Sequence, residues 1–271
     1  MNKKNIKVIM YDLDGTLLND AGFVNPETIK QIKLLKEKGI LFGIATGREI
    51  DSCEDLYEEW GIKGLIDMIV GSNGAHIKDY CSQLEKIHHP LSGKDIKEII
   101  HYFDGMDVNF SICYQGCLQM KKDDETARFL SKVDKIPMKV VDYEELLQIP
   151  HTKLMVICKQ SMMAEVEKRG AMHKNERFVS MCTAPILYEY SDARNTKSNG
   201  LRHFLEAYSW DMENVMFFGD ANNDLDLISH SGVGICMKNG SEEAKKCADY
   251  ISEEDNNHNG IALFLSKYFT N

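Results

Sequence analysis

The sequence predicts an α/β protein whose core is a doubly wound parallel sheet and which carries a second α/β domain as an insertion. Three features of the 271-residue chain support this prediction. Short apolar strands alternate with amphipathic helices near both ends of the chain. Several of these strands stop abruptly at polar or acidic residues. The middle of the chain lacks that pattern.

The first predicted strand runs from Ile6 to Tyr11 and stops at two carboxylates spaced one residue apart, Asp12 and Asp14. A buried strand cannot hold unpaired charges along its length. Gly15 permits a sharp turn directly after them. We therefore expect both acids at the carboxyl end of the strand, which is where open α/β sheets bind ligands.

A helix and two further strands follow. Asn25, Pro26 and Glu27 are typical of a helix start, with a capping residue, a first-turn proline and an acid that suits the helix dipole. The strand at 40–45 ends in Thr46-Gly47-Arg48, and the strand at 67–70 is followed by Ser72-Asn73. The order strand, helix, strand predicts parallel pairing.

The last part of the chain repeats this arrangement. Lys197 precedes a helical apolar stripe of Leu201, Phe204, Leu205 and Tyr208. The next strand, 215–219, ends at Asp220, and Asn223 and Asp224 follow closely. Strands predicted at 233–236 and 250–251 complete a Rossmann-like, doubly wound sheet.

The region between these two parts predicts a separate domain. Strands are predicted at 109–114, 118–121, 154–159 and 178–182, and helical patterns at 96–103 and 162–173. None of these segments ends in clustered acids. We predict a core formed by residues 1–83 and 189–271, with residues 84–188 as an inserted domain.

Composition excludes several classes of protein. The chain is 43% hydrophobic with a formal charge of −10, which disfavours binding to nucleic acid. No apolar run approaches the ~20 residues of a membrane-spanning helix. The eight cysteines never form a C-x-x-C pair, so reduced thiols and a cytoplasmic location are expected. Either a monomer or a homodimer is compatible with the sequence.

The predicted sheet edge brings together groups suited to phosphoryl transfer. Asp12, Asp14 and Asp220 would repel one another unless a hard cation neutralised them, and oxygen ligands favour Mg²⁺. One aspartate can attack phosphorus, and a second can protonate the leaving alcohol and then activate water. Because that second acid must be protonated first, we expect Asp14 in a closed, water-poor site. Thr46 and Lys197 would hold phosphoryl oxygens.

These residues resemble the four ordered motifs of the haloacid dehalogenase (HAD) superfamily of phosphatases. The motifs are Asp12-Leu13-Asp14-Gly15-Thr16, then Thr46, then Lys197, then Gly219-Asp220-Ala221-Asn222-Asn223-Asp224. The large insertion, with Ala45-Thr46-Gly47-Arg48 and Ser72-Asn73-Gly74-Ala75, resembles the Cof-type branch (subclass IIB), which has a C2 cap. Ser198 departs from the pattern, because the family usually has glycine directly after the motif lysine.

The resemblance assigns a role to each motif residue. Asp12 is the nucleophile and a Mg²⁺ ligand, Asp14 is the acid/base and binds the metal through its carbonyl, and Asp220 completes the protein ligands. Thr46, Lys197 and Asn223 contact the phosphoryl group. Asp224 orients Lys197 or metal-bound water, while Arg48 and Asn73 reach toward substrate. For Arg48, a structural ion pair is an equal alternative.

The resulting functional prediction is a Mg²⁺-dependent phosphatase of small phosphorylated metabolites, which acts through an aspartyl-phosphate. A sugar-phosphate phosphomutase would use the same intermediate. A phosphate-accepting receiver protein is disfavoured. A receiver has its acceptor aspartate on a middle strand and its acidic pair on the first, whereas here Asp12 and Asp14 themselves end the first strand and no lone acceptor aspartate follows the strand at 66–70. A degenerate binding protein is disfavoured because every catalytic position is filled. The identity of the substrate stays open.

Overall fold

The computed structural model describes residues 5–173 and 175–270. The chain divides into two compact units. The first consists of Met1–Lys86 with Thr196–Asn271, and the second of Ile87–Asn195. The sequence prediction had placed these junctions at 83/84 and 188/189.

The strands form two separate sheets. The strands are β1 (Val8–Tyr11), β2 (Leu41–Ala45), β3 (Met68–Gly71), β4 (His76–Asp79), β5 (Leu84–Ile87), β6 (Asn109–Tyr114), β7 (Cys117–Met120), β8 (Met138–Val140), β9 (Lys153–Ile157), β10 (Phe178–Ala184), β11 (Leu187–Asp192), β12 (Val215–Gly219), β13 (Val233–Cys236) and β14 (Tyr250–Ile251).

Helices connect and cover these strands. The helices are α1 (Pro26–Glu37), α2 (Ile50–Glu54), α3 (Gly93–Tyr102), α4 (Glu125–Asp134), α5 (Tyr143–Leu146), α6 (Met163–Met172), α7 (Lys197–Ala207), α8 (Leu225–His230), α9 (Glu242–Cys247) and α10 (Gly260–Thr270). Short 3-10 turns lie at Ser72–Gly74, Gln160–Met162, Met212–Asn214 and Asn222–Asp224. Among the described residues, none of the helices is both long enough and apolar enough to span a membrane.

The sheet of the first unit has the order β14-β13-β12-β1-β2-β3-β4-β5. Its strands from β14 to β3 pair in parallel, and β1 lies at the centre between β12 and β2. Both faces are buried: α1 and α10 pack on one side, and α7 and α8 on the other. A sheet covered on both faces needs strands that are apolar throughout. The predicted doubly wound α/β fold is confirmed.

Two local features of this unit differ from the sequence prediction. β4 pairs antiparallel to β3, and β5 lies beside it, so the sheet extends beyond its predicted parallel part. Asn25 precedes α1, but its side chain makes no capping hydrogen bond. Its amide instead donates to the carbonyl of Asn256 and accepts from Asn19. Asn25 therefore joins distant loops, a role that local sequence patterns do not reveal.

The second unit has a six-stranded sheet in the order β10-β11-β9-β6-β7-β8. Its pairs are antiparallel except for β7 with β8. Apolar clusters cover both faces, one including residues of α3 and α6 and the other residues of α4. The strand β11 explains the position of the second junction, because residues 187–192 pair with β9 and β10 within this unit.

Candidate active site

The polar residues that follow β1, β2, β3 and β12 emerge at one edge of the first sheet. These strands are adjacent and parallel, and Tyr11 lies opposite both Ile44 and Phe218 in the register. The backbone N–H of Asp12 donates to the carbonyl of Phe218 at 2.9 Å. Topology therefore brings together groups that are far apart in sequence, as expected for the carboxyl ends of parallel strands.

Lys197 lies between two carboxylates at this edge. Its Nζ is 2.5 Å from Oδ1 of Asp12 and 2.6 Å from Oδ1 of Asp224. Lys197 is only 1% exposed, and Asp12 and Asp224 are also buried. Its backbone is fixed because Lys197 is the first residue of α7, whose N-cap Thr196 accepts a hydrogen bond from the backbone of Asn199.

Asp220 is held by the turn that follows Asp12. The hydroxyl of Thr16 donates to its Oδ1 at 2.7 Å. Gly15 has φ +79°, and a Cβ added there would lie 2.6 Å from Oδ2 of Asp220. The turn after β1 therefore requires glycine for two reasons, its left-handed backbone and the close approach of this carboxylate.

The carboxylates of Asp12, Asp220 and Asp224 form a cluster in which one oxygen from each lies within 4.8 Å of the others. Burial raises the pKa of Asp12 well above its usual range, although the charge of Lys197 opposes this effect. Burial also raises the pKa of Asp220, to about 6. For Lys197, burial acts to lower the pKa, but the charges of Asp12 and Asp224 outweigh it and raise the pKa. A bound cation would relieve the repulsion among the acids.

Asp224 differs from the other two acids because both of its oxygens are already used. Oδ1 accepts from Lys197, and Oδ2 accepts from the backbone N–H groups of Asp220 and Ala221, each at 3.0 Å. A Cβ on Gly219 would lie 2.7 Å from the Asp224 carboxyl carbon, so this carboxylate packs directly on the backbone. These contacts hold the Asp224 carboxylate between Lys197 and the backbone that follows β12.

Asp14 does not lie in the closed environment that the sequence analysis expected. Its side chain is 58% exposed, and Arg48 binds it with two parallel hydrogen bonds of 2.8 and 2.7 Å. Arg48 gives the exposed carboxylate a bidentate partner, and Asp14 stays within electrostatic reach of Asp12 and Asp220. Of the two alternatives for Arg48, the structure displays the ion pair.

The remaining predicted residues lie on neighbouring loops. Thr46 is 1% exposed, and its hydroxyl accepts from the backbone N–H of Arg48 at 3.1 Å. The side-chain amides of Asn223 and Asn73 face one another, with Asn223 Nδ2 at 3.3 Å from Asn73 Oδ1. The first unit thus supplies every residue singled out from the sequence.

Thr16 is a site residue whose partner the sequence does not indicate. It belongs to the motif Asp12-Leu13-Asp14-Gly15-Thr16, whose pattern predicts no role for the threonine. A buried hydroxyl directly after an aspartate-glycine turn is the local signal for such a role, because a buried hydroxyl needs a partner. Its actual partner, Asp220, lies 204 positions away and becomes evident only in the fold.

The fold and this edge define a class of α/β enzymes that place an acidic cluster and a buried lysine at the carboxyl ends of parallel strands. The family model of haloacid dehalogenase-like hydrolases matches residues 9–265. The chain therefore belongs to the haloacid dehalogenase-like hydrolase family, and the predicted superfamily is confirmed.

Curated relatives resemble the chain over nearly its whole length. The 5-amino-6-(5-phospho-D-ribitylamino)uracil phosphatase YcsE of Bacillus subtilis is 26% identical, over 95% of this chain and 94% of its own. YitU of the same organism, which has the same named activity, is 27% identical over 97% of each chain. Other relatives of similar identity are named only as phosphatases. The predicted enzyme class, a phosphatase, is confirmed.

Solved structures share the fold. A haloacid dehalogenase-like hydrolase from Bacteroides thetaiotaomicron superposes with a TM-score of 0.86 at 22% identity, covering 97% of this chain and 99% of that one. A HAD subclass IIB sugar phosphatase gives a TM-score of 0.81 at 20% identity, covering 97% and 99%. The second of these has the subclass predicted from the motifs.

Proposed function

We propose that the protein is a Mg²⁺-dependent phosphatase that hydrolyses small phosphomonoesters through an aspartyl-phosphate on Asp12. The observation that carries this proposal is the position of Lys197, which is buried and lies 2.5 Å from the Asp12 carboxylate. A buried lysine beside a buried aspartate provides fixed positive charge where a phosphoryl group would meet its nucleophile. Such preorganised charge is the main source of catalysis in phosphoryl transfer.

The residues present fit a divalent cation. Three carboxylate oxygens converge within 4.8 Å, and hard cations such as Mg²⁺ prefer oxygen ligands. Asp12 and Asp220 would hold the ion together with the backbone carbonyl of Asp14, while both oxygens of Asp224 already accept hydrogen bonds, from Lys197 and from backbone N–H groups. When bound, Mg²⁺ would neutralise the acidic cluster and attract the phosphate.

In the first half-reaction, the Asp12 carboxylate attacks phosphorus and the bond to the substrate's alcohol oxygen breaks. Asp14 gives its proton to that oxygen, so that a neutral alcohol leaves. In the second half-reaction, Asp14 takes a proton from water, the water oxygen attacks phosphorus, and the Asp12–phosphate bond breaks. Inorganic phosphate is released and Asp12 is regenerated.

The Arg48–Asp14 pair sets a condition on this cycle. A bidentate arginine binds the ionised carboxylate, so Asp14 must leave Arg48 before it acts as an acid. A substrate phosphate offers Arg48 another anionic partner. We propose that substrate binding exchanges these partners, which would free Asp14 for protonation and give Arg48 its substrate contact.

For the substrate, we propose a phosphomonoester of a sugar or of a related polyhydroxylated chain. Two of the named relatives act on a phosphorylated ribityl compound, and a structural neighbour is a sugar phosphatase. The second unit, Ile87–Asn195, would act as the cap that selects the leaving group. A cytoplasmic location and a monomeric or dimeric state remain predictions.

The test is phosphate release from a panel of sugar phosphates, nucleotides and cofactor phosphates, with Mg²⁺ and with excess chelator. The proposal expects Mg²⁺-dependent release that is fastest with sugar or sugar-alcohol phosphates. Release that is unaffected by chelator would refute the metal requirement. Isomerised sugar phosphate without free phosphate would identify a mutase instead.

A further inference from the structure

The loop after β3 has an unusual backbone. Ser72 and Asn73 have φ of 49° and 51°, and Gly74 has φ of 103°. Three successive residues therefore lie at positive φ, a region that only glycine adopts freely and that asparagine tolerates better than most residues. A strained segment persists only where the surrounding structure holds it in place.

Two backbone hydrogen bonds hold this loop against the segment after β2. The N–H of Ser72 donates to the carbonyl of Arg48 at 2.8 Å, and the N–H of Asn73 donates to the carbonyl of Thr46 at 3.0 Å. The left-handed conformation directs both donors to the same neighbouring segment. The position of Thr46 thus depends on the backbone of Asn73.

The Asn73 side chain and the adjacent Gly74 contact two more loops. Asn73 Oδ1 lies 3.3 Å from Nδ2 of Asn223, and a Cβ added at Gly47 would lie 3.3 Å from the same oxygen. A Cβ added at Gly74 would lie 2.0 Å from the carbonyl oxygen of Thr196, directly before Lys197. The loop therefore touches all three segments that carry the proposed phosphoryl-binding residues.

We propose that Asn73 is a positioning residue: its side-chain amide fixes the amide of Asn223 for phosphoryl binding, and its backbone fixes Thr46. This inference rests on the proposed phosphatase function, and it differs from the substrate contact that the sequence analysis expected for Asn73. Asn73 acts through Asn223, so the contribution of its side chain depends on the Asn223 amide.

The substitution Asn73→Gly separates the side chain from the backbone. Glycine adopts positive φ at no steric cost, so the variant keeps the loop and loses only the amide. If the backbone alone mattered, Asn73→Gly would match the wild type. We expect instead that kcat/KM falls by about 3- to 10-fold, which corresponds to the loss of one hydrogen bond.

A double-mutant cycle with Asn223→Ala tests whether the loss of activity in Asn73→Gly depends on the Asn223 amide. If Asn73 acts through Asn223, the double variant loses no more activity than Asn223→Ala alone. Asn259, at φ 60°, provides the matched control, since it is a left-handed asparagine outside the site. Asn259→Gly should leave kcat/KM unchanged, and thermal melting shows that each variant is folded.

Inorganic phosphate provides a second readout that does not need turnover. We expect the rise in Tm produced by phosphate to shrink in Asn73→Gly and in Asn223→Ala, and to shrink no further in the double variant than in Asn223→Ala alone. That result in a protein without phosphatase activity would support the inference and refute the proposed function. Wild-type kcat/KM and phosphate response in Asn73→Gly, or multiplicative losses in the double variant, would overturn the inference. A wild type with neither turnover nor a phosphate response would overturn both.

Discussion

The Nζ of Lys197 lies 2.5 Å from Oδ1 of Asp12, although the two residues are 185 positions apart in the chain. Both side chains are buried, and Asp224 binds the same ammonium at 2.6 Å. The enzyme's positive charge is therefore fixed in place before substrate arrives.

The first prediction concerns removal of this charge. Lys197→Met should leave the buried carboxylates of Asp12 and Asp224 without their cation, which we expect to destabilise the fold by about 3–5 kcal/mol. Denaturant unfolding measures this change. The double variant Lys197→Met/Asp224→Asn removes one of the stranded charges and should recover part of the loss. If Lys197→Met alone is as stable as the wild type, the ion pair does not have the role described.

The second prediction concerns Gly15. Gly15→Ala should impose both a left-handed alanine and a contact of 2.6 Å with Asp220 Oδ2. Gly22 has nearly the same φ, +81°, with nothing within 4 Å of an added Cβ, so Gly22→Ala reports the backbone cost alone. We expect a loss of about 1 kcal/mol in Gly22→Ala and a clearly larger loss in Gly15→Ala. Only Gly15→Ala should weaken Mg²⁺ binding. Equal effects of the two substitutions on stability and on Mg²⁺ affinity would contradict the proposed crowding of Asp220.

The third prediction concerns pH. Burial raises the pKa of Asp220 from its ordinary 3.8 to about 6 in the folded protein. A raised pKa means that the folded state favours the protonated form of Asp220. The resulting contribution to the free energy of unfolding is fully present below the unfolded pKa. It is lost as pH rises through the folded pKa. Mg²⁺ needs the ionised form, so the rise in Tm caused by Mg²⁺ should be larger at roughly pH 7.5 than at roughly pH 5.

Thermal melts with and without Mg²⁺ across this range measure the effect. Asp220→Asn, which has no titrating carboxyl at this position, is the control and should show a weak response to Mg²⁺ at every pH. A Mg²⁺-induced shift in the wild type that is equal at both ends of the range would argue against Asp220 as a ligand.

The fourth prediction concerns Asp14. Asp14→Asn keeps the shape of the side chain but removes the proton that the leaving alcohol needs, so turnover should slow by roughly 100-fold or more. Substrates with good leaving groups need less protonation and should lose less activity. Comparing an aryl phosphate with an alkyl phosphate measures this difference. An equal loss with both substrates would count against an acid role for Asp14.

The strands, their parallel order and the residues at their ends could be predicted because each depends on local patterns. Apolar runs that stop at Asp12, Thr46 and Asp220 indicate buried strands and their carboxyl ends. The side-chain partners could not be predicted in the same way. Thr16 with Asp220, and Asn25 with Asn256, are contacts between distant segments that the sequence around each residue does not encode.

The environment of Asp14 differs from what the sequence predicts. Chemistry alone indicated a closed site for an acid that must carry a proton, but the exposed carboxylate pairs with Arg48. Arg48 lies 34 positions from Asp14, and spacing in the sequence does not encode that pairing.

The most direct test of the central claim is the turnover of an aryl phosphate by Asp12→Asn, measured with Mg²⁺ beside the wild type. Asparagine matches aspartate in size, and a melting curve establishes that the variant is folded. The account predicts no phosphate release above background, because the amide cannot attack phosphorus. Turnover by a folded Asp12→Asn variant at a rate near that of the wild type would contradict the assignment of Asp12 as the nucleophile.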